Sequence, residues 1–554
     1  MKSNELFRAS SVMAVGTIIS RVTGFIRSLL AVALLGTALL ADSYNIANVM
    51  PTILYNLLIG GALTAVFVPQ LVRSFGDADG GHAFTSRLVT TISAVLLALV
   101  AVGVILAPVL VRFYAPKFSS VGFENEFRLA VAFTRYCLPQ IFFLGLFTML
   151  GQVANARGSF APLMWAPIAN NVVVIAIFSA VLIKVPQLSA GTITPNQTRL
   201  LGWGTTLGVV VQALIMIPVV ARTGIKLRLK FGWQGLGKSF SLAGWTLVYV
   251  FISQLGYWIT VRLSTSAAVQ TALEGVKTGV GFTPFGNAYL IMMLPYSIVT
   301  ISIITALLPH LSKLAIEKKS EEVREQLIRA IKMVGVLTIP AGVAFMLFGP
   351  MITRVLYVGI TKADAIYIGD VLAAFGLGLV AFSINIILIR GFNAFEDTKT
   401  QVPSILLINV IAIALSYLSF YLLPSKWVTV GLGLSFSVSY IIGLFYTLRL
   451  LVRHTGHIHI RDFIGQHSRL FFASLIAMLP LFAVSQYFSW ANSDSSPFMR
   501  LAELALIMIV GFVGYFFVAR KIGVGEIAVT GELMKIQFTK VFKSRRKPPE
   551  PDGE

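Results

Sequence analysis

Residues 9–35 read ASSVMAVGTIISRVTGFIRSLLAVALL, an apolar run interrupted by only two charges, Arg21 and Arg27. A run of this length crosses a bilayer as a helix, since about 20 residues span the hydrocarbon layer. Charge at membrane depth costs several kcal/mol unless it faces a partner, a cavity or a ligand. Asp42 opens the next apolar run. Two cations with one nearby anion point to a water-filled pocket for a negatively charged substrate. The bland alternative has one arginine snorkelling to the interface and the other pairing with Asp42. Both arginines lie in one narrow stretch, so they do not snorkel together easily.

The rest of the chain agrees with this opening. It is 56% hydrophobic and 12% charged, with mean hydropathy +0.83, and a soluble globular chain carries roughly twice that charged fraction. The composition describes an all-α polytopic membrane protein. The first apolar run is too long for the core of a cleavable signal peptide. The single cysteine, Cys137, excludes an intrachain disulfide framework and reads as a small packing residue. Of the six histidines, His454, His457 and His459 share a basic loop, where solvated residues are the simpler reading than a metal site.

Fourteen apolar runs are long enough to span: roughly 9–35, 43–72, 88–111, 129–153, 161–183, 200–221, 240–263, 282–311, 327–356, 366–390, 402–423, 428–451, 470–488 and 501–519. Pro51 and Pro295 predict kinks or irregular turns in the second and eighth. With the N-terminus cytoplasmic, 30 of the 44 Lys and Arg fall in inner segments and 11 in outer ones, leaving Arg21, Arg27 and Arg135 at depth. That asymmetry is the positive-inside pattern and puts both termini inside. It also accounts for the net charge of +21 without a nucleic-acid partner.

A repeat runs through the chain at an offset near 240. Phe67-Val68-Pro69-Gln70-Leu71 matches Leu307-Leu308-Pro309-His310-Leu311. Pro108 and Arg112 match Pro350 and Arg354; Asn155 and Asn171 match Asn393 and Asn409. An even number of helices per repeat makes the halves parallel, a construction used for alternating access. The organisation expected is an N-terminal six-helix lobe at 1–225 and a C-terminal six-helix lobe at 226–465 around a central cavity. Two further helices occupy 466–520, and a basic amphipathic cytoplasmic tail at 521–554 suits anionic membrane lipids. No Walker A sequence is found, so no ATP site is expected. The glycine-rich stretch from Gly275 to Gly286 reads as a flexible external connection. No carboxylate pair or Ser–His–Asp set supports catalysis, so a transporter is expected rather than an enzyme.

The candidate site centres on the first helix. Ser20, Gly24 and Arg27 fall at i, i+4 and i+7 on one face, and Gly24 lets a neighbouring helix or a ligand approach closely. The guanidinium fork matches phosphate oxygens bidentately, so a pyrophosphate is the natural guest. Asp42 is a candidate to hold the arginines when the site is empty, or else a helix-start cap. Arg135 reads as an interfacial anchor. Asp370 and Glu503 read as hydrated helix-end residues or coupling-ion ligands, and Asn171 as interhelical glue or a substrate contact.

The motifs Ser20-Arg21-Val22-x-Gly24-Phe25-x-Arg27, Ala41-Asp42-Ser43-Tyr44, Gly61-Ala62 and Ala65-x-Phe67-Val68-Pro69 resemble the start of the MurJ (MviN) lipid II flippases. Leu307-Leu308-Pro309-His310-Leu311-Ser312-Lys313 and Asp397-Thr398-Lys399-Thr400 resemble that family's second-half signatures. The resemblance covers essentially the whole chain. It implies translocation of undecaprenyl-pyrophosphate disaccharide-pentapeptide from the inner to the outer leaflet of the bacterial cytoplasmic membrane. It places Arg21 and Arg27 as substrate-binding arginines with Asp42 as acidic partner, and a lipid-tail groove at about 470–519. Three positions depart from the family pattern: Tyr55 and Leu290 stand where many members carry arginine, and Gly60 replaces a glutamate. Tyr55 is therefore a secondary candidate for substrate contact. With no ATP site, the membrane potential or an ion gradient would drive the cycle. The alternatives are a flippase for another polyprenyl-pyrophosphate oligosaccharide, or a non-transporting scaffold recruiting wall-synthesis proteins. A cation antiporter would need acidic cavity residues, and a membrane glycosyltransferase a carboxylate cluster.

Overall fold

The computed structural model describes residues 3–57, 68–185, 187–232, 237–456, 458 and 460–524. Among these the regular structure is helical throughout. In chain order the helices are α1 Ser3–Leu35, α2 Leu39–Tyr55, α3 Val68–Ser74, α4 His82–Ile105, α5 Ala107–Tyr114 and α6 Glu124–Cys137. There follow α7 Gln140–Ala156, α8 Ala161–Lys184, α9 Pro195–Arg222, α10 Gly237–Leu273, α11 Phe282–Pro295 and α12 Ile301–Ile316. The last six are α13 Ser320–Leu356, α14 Lys362–Ala394, α15 Gln401–Leu422, α16 Val428–Thr455, α17 Ile460–Tyr487 and α18 Pro497–Lys521.

Thirteen spans among the described residues are long and apolar enough to cross a membrane, where the sequence predicts fourteen. The remaining run, 43–72, is represented by α2 and α3 on either side of 58–67, which lies outside the described residues. So do Gly60, Gly61-Ala62, most of the motif at 65–69, and the tail beyond 524.

Proline explains the breaks. Pro108 is the second residue of α5, which starts after a one-residue gap from α4, and Pro139 separates α6 from α7, as expected for a residue that removes an intrahelical donor. Pro295 is followed by one π-helical turn, Tyr296–Thr300, the irregularity predicted for that run.

The described residues form two compact units. The first comprises Met1–Ile291, Leu356–Val371 and Thr398–Ser439; the second comprises Met292–Val355, Leu372–Asp397 and Tyr440–Glu554. The first unit therefore draws helices from both sequence repeats. Its core joins α1, α2, α6, α8 and α9 through Leu34, Tyr44, Phe133, Cys137, Phe178 and Leu201. Tyr44 stands edge-on to Phe133 at 5.5 Å and hydrogen-bonds Thr205 Oγ1 at 2.8 Å, so a large ring and its hydroxyl are both satisfied. Cys137 is fully buried there, a packing residue as predicted. In the second unit the α17–α18 hairpin packs on α13, and Tyr515 Oη donates to the Val336 carbonyl at 2.7 Å. Buried Arg354 donates to the carbonyls of Ala491 and Ser493 at 2.8 and 2.7 Å, which fixes the turn between α17 and α18.

The repeat is visible in the helix seams. α1 packs along α8 with Gly24 against Asn171, and α10 packs along α15 with Gly256 against Asn409. Asn155 and Asn393 occupy the penultimate positions of α7 and α14.

Candidate substrate-binding site

At 100° per residue, the exposed residues Val15, Ile18, Ile19, Val22 and Ile26 cover roughly one third of the circumference of α1. This is the arc a helix turns to lipid. Arg27 does not lie in it, and Arg21, itself exposed, borders it next to Ile18. Arg27 follows the stripe of Gly16, Ser20, Thr23 and Gly24 that meets α8, and is half-buried. Arg21 shares the side of Ser28, which donates to Asn287 Oδ1 of α11 at 2.8 Å, yet remains exposed. Among the described residues neither guanidinium makes an ion pair or a hydrogen bond. Arg27 is thus held against the seam with α8, Arg21 is exposed beside the apolar arc, and both keep their donors available.

Asp42 does not supply their counter-charge. The carboxylate is completely buried and accepts from Phe282 N at 3.0 Å, Thr283 N at 2.7 Å and Thr283 Oγ1 at 2.6 Å. These are the first residues of α11, so Asp42 caps a helix 240 residues away, where free amides and the helix dipole both favour an anion. The expectation that Asp42 pairs with the arginines is thus corrected. The reason is local: an N-terminal amide pair at hydrogen-bonding distance outcompetes a cation that would need to be desolvated.

Gly281 makes this approach possible. At φ 148° it adopts a conformation open to glycine, and a Cβ there would overlap Asp42 Oδ2. Gly279 similarly lies against Thr37. At Gly279 and Gly281 the glycine-rich stretch is therefore a close-packed contact rather than the slack connection predicted from composition. Asn45 Nδ2 donates to Thr283 Oγ1 at 2.9 Å, Asn287 Nδ2 to the Thr283 carbonyl at 2.9 Å, and Tyr357 Oη to Asn287 Oδ1 at 3.1 Å. A buried polar chain thus runs from Asp42 through Thr283 and Asn287 to Ser28 on α1. Sequence reasoning missed Asn45, Thr283, Asn287 and Tyr357. The one available signal was that Asp42 and Phe282 stand a full repeat apart.

The remaining candidates are placed as follows. Asn171 Nδ2 donates to the Ser20 carbonyl at 3.1 Å and to Thr23 Oγ1 at 3.0 Å, so it binds α8 to α1, and Gly24 admits this side chain. Tyr55 donates to Thr148 Oγ1 of α7 at 2.7 Å. Leu290 is half-buried on α11, and Arg135 is exposed on α6. Asp370 and Glu503 are half-buried on α14 and α18. His454 is a correction: it ends α16, pairs with Asp397 at 2.8 Å and stacks on Phe395, whereas His457 and His459 lie outside the described residues.

The family model described as lipid II flippase MurJ matches residues 31–506. A probable lipid II flippase MurJ of Rhizobium tropici is 26% identical over 529 residues, covering 94% of this chain and 95% of its own. The lipid II flippase MurJ of Burkholderia cenocepacia is 27% identical over 522 residues, 92% of this chain and 96% of its own. Among solved structures, a lipid II flippase MurJ in an inward closed conformation superposes with TM-score 0.71 at 20% identity, covering 92% of this chain and 99% of that one. An inward-facing multidrug resistance MATE family transporter of the MOP superfamily gives TM-score 0.61 at 14% identity, over 78% and 95%. The structural matches carry the fold, and the sequence match over most of the length carries the kinship: this chain belongs to the lipid II flippase MurJ family.

Proposed function

We propose that this protein carries lipid II, the undecaprenyl-pyrophosphate-linked peptidoglycan precursor, from the cytoplasmic to the outer leaflet by alternating access, with Arg21 and Arg27 as the pyrophosphate contacts. The observation that carries the site assignment is that both guanidiniums sit within one apolar membrane-length helix and are free of any carboxylate among the described residues. A pyrophosphate supplies the charge they lack, and the planar fork matches its oxygens. Ser20 and Gly24 shape the seam beside Arg27, and Asn171 holds that seam in register.

The proposed orientation puts both termini on the cytoplasmic side of a bacterial cytoplasmic membrane, supported by the Lys and Arg asymmetry. The lobes are assigned to 1–225 and 226–465, the added helices to 466–520 and the membrane-surface tail to 521–554. The Asp42–Thr283 contact then lies at the outer ends of α2 and α11. Outward release requires these helix ends to part, breaking three hydrogen bonds to one carboxylate. The membrane potential or an ion gradient drives the return.

The test is growth under depletion of the native copy, paired with binding of purified lipid II. Hydrogen bonds to charged groups contribute about 1.5–3 kcal/mol, so Arg21→Ala or Arg27→Ala weakens binding by roughly 10- to 150-fold, and Arg→Lys less. Normally inserted Arg27→Ala protein that binds and moves lipid II at the unmodified rate overturns the assignment. Loss of growth on deleting 525–554 with lipid II movement intact favours the scaffold reading.

A further inference from the structure

Residues 225–232, Ile-Lys-Leu-Arg-Leu-Lys-Phe-Gly, leave α9 and run extended along α4. Every second backbone N–H finds a side chain on one face of that helix. Lys226 N donates to His82 Nδ1 at 3.1 Å, Arg228 N to Ser86 Oγ at 3.1 Å, Lys230 N to Thr90 Oγ1 at 3.3 Å and Gly232 N to Thr91 Oγ1 at 3.2 Å. Thr91 Oγ1 also donates back to the Gly232 carbonyl at 3.2 Å. The register is dimensional: two extended residues advance about 6.6 Å and four helical residues about 6 Å. His82, Ser86 and Thr90 thus keep step with 226, 228 and 230. Ser86, Thr90 and Thr91 are buried, and the segment they satisfy explains these hydroxyls.

Alternation then sorts the side chains. Lys226, Arg228 and Lys230 share one face and are exposed. Ile225 on the other face is buried, but Leu227, Leu229 and Phe231 are 38, 88 and 73% exposed. A tethered strand with one cationic face and one open apolar face fits the boundary between headgroups and acyl chains. The chain's own tail is a poor occupant, since Lys535, Lys540, Lys543, Arg545, Arg546 and Lys547 carry the same sign.

We infer that residues 226–231 form a binding strap for bulk anionic phospholipid, with Leu227, Leu229 and Phe231 in the acyl boundary and Lys226, Arg228 and Lys230 on headgroup phosphates. The strap leads from α9 to α10, between the two sequence repeats, so lipid charge bears on the connection between them.

The full chain carrying Leu229→Cys, labelled with a fluorophore, is reconstituted in phosphatidylcholine vesicles. Nitroxide-bearing phosphatidylglycerol or phosphatidylcholine is added at equal mole fraction, with no lipid II present. Cys137 is fully buried and stays unlabelled. The nitroxide lipids quench position 229, with the phosphatidylglycerol form preferred on the order of fivefold for each basic residue engaged. Combined Lys226→Gln, Arg228→Gln and Lys230→Gln brings the preference to parity while quenching persists. A label at exposed Val410 on α15 shows parity throughout. Quenching by aqueous iodide but not by lipid, protection from both, or a preference the triple variant leaves unchanged overturns the proposal. Both leaflets share one composition, so an error in the proposed orientation leaves this result untouched; added lipid II that displaces phosphatidylglycerol at 229 would assign the strap to substrate instead and overturn it.

Discussion

Asp42 caps a helix 240 residues away; in the sequence it reads as a holder of the arginines or as a cap at a helix start. Its partners are two backbone amides and a hydroxyl at the start of α11, and backbone donors leave no trace in a residue pattern. The arginines were legible because charge at membrane depth is rare and costly. Asp42→Asn replaces one acceptor oxygen with a donor facing the Phe282 or Thr283 amide, a loss of about 1–3 kcal/mol. Gly281→Ala strikes the same contact from the other side. Thermal unfolding of the two single variants and the double should show strong non-additivity, since both disrupt one interaction. Additive losses would mean that Gly281 serves a different purpose.

At the level of helices, most spans were legible from apolar run length and the irregularity after Pro295 from its proline, but the runs 88–111 and 129–153 pass straight through the breaks near Pro108 and Pro139. The seams were only partly legible: the asparagines repeat visibly in the sequence and Gly24 reads as a point of close approach, but Gly256 does not stand out among 46 glycines. The two seams differ in tolerance. A Cβ on Gly24 would sit 3.4 Å from Asn171 Nδ2, an ordinary contact, while one on Gly256 would overlap Asn409 Oδ1. Gly24→Ala should leave the melting temperature unchanged or raise it, because alanine favours helix by about 1 kcal/mol. Gly256→Ala should cost about 1–3 kcal/mol through overpacking. Calorimetry in detergent separates them, and equal losses would contradict the packing described.

For the whole molecule, charge distribution sets the expected sidedness. A cysteine near Lys319 should be shielded from an impermeant thiol reagent in intact cells, and one near Lys426 should react. The native thiol is silent because Cys137 is fully buried. The reverse labelling would invert the proposed orientation. What composition and hydropathy could not reveal is the layout of the two compact units, since the first combines residues from both repeats. Periodicity records which faces are apolar, not which distant helix covers them.

The contact between Asp42 and the start of α11 also says something about symmetry. Positions one repeat apart touch where a symmetry axis passes, because only there does a residue meet its own counterpart. A duplicated chain keeps as an internal contact what two separate copies would share as an interface. Symmetry would write the carboxylate twice, but Phe282 stands at the position equivalent to Asp42. One side of this contact carries the acid and the other its donors, whereas identical halves would set two anions facing each other on the axis, where they would repel. An acceptor in one half facing donors in the other is a division of labour unavailable to identical subunits.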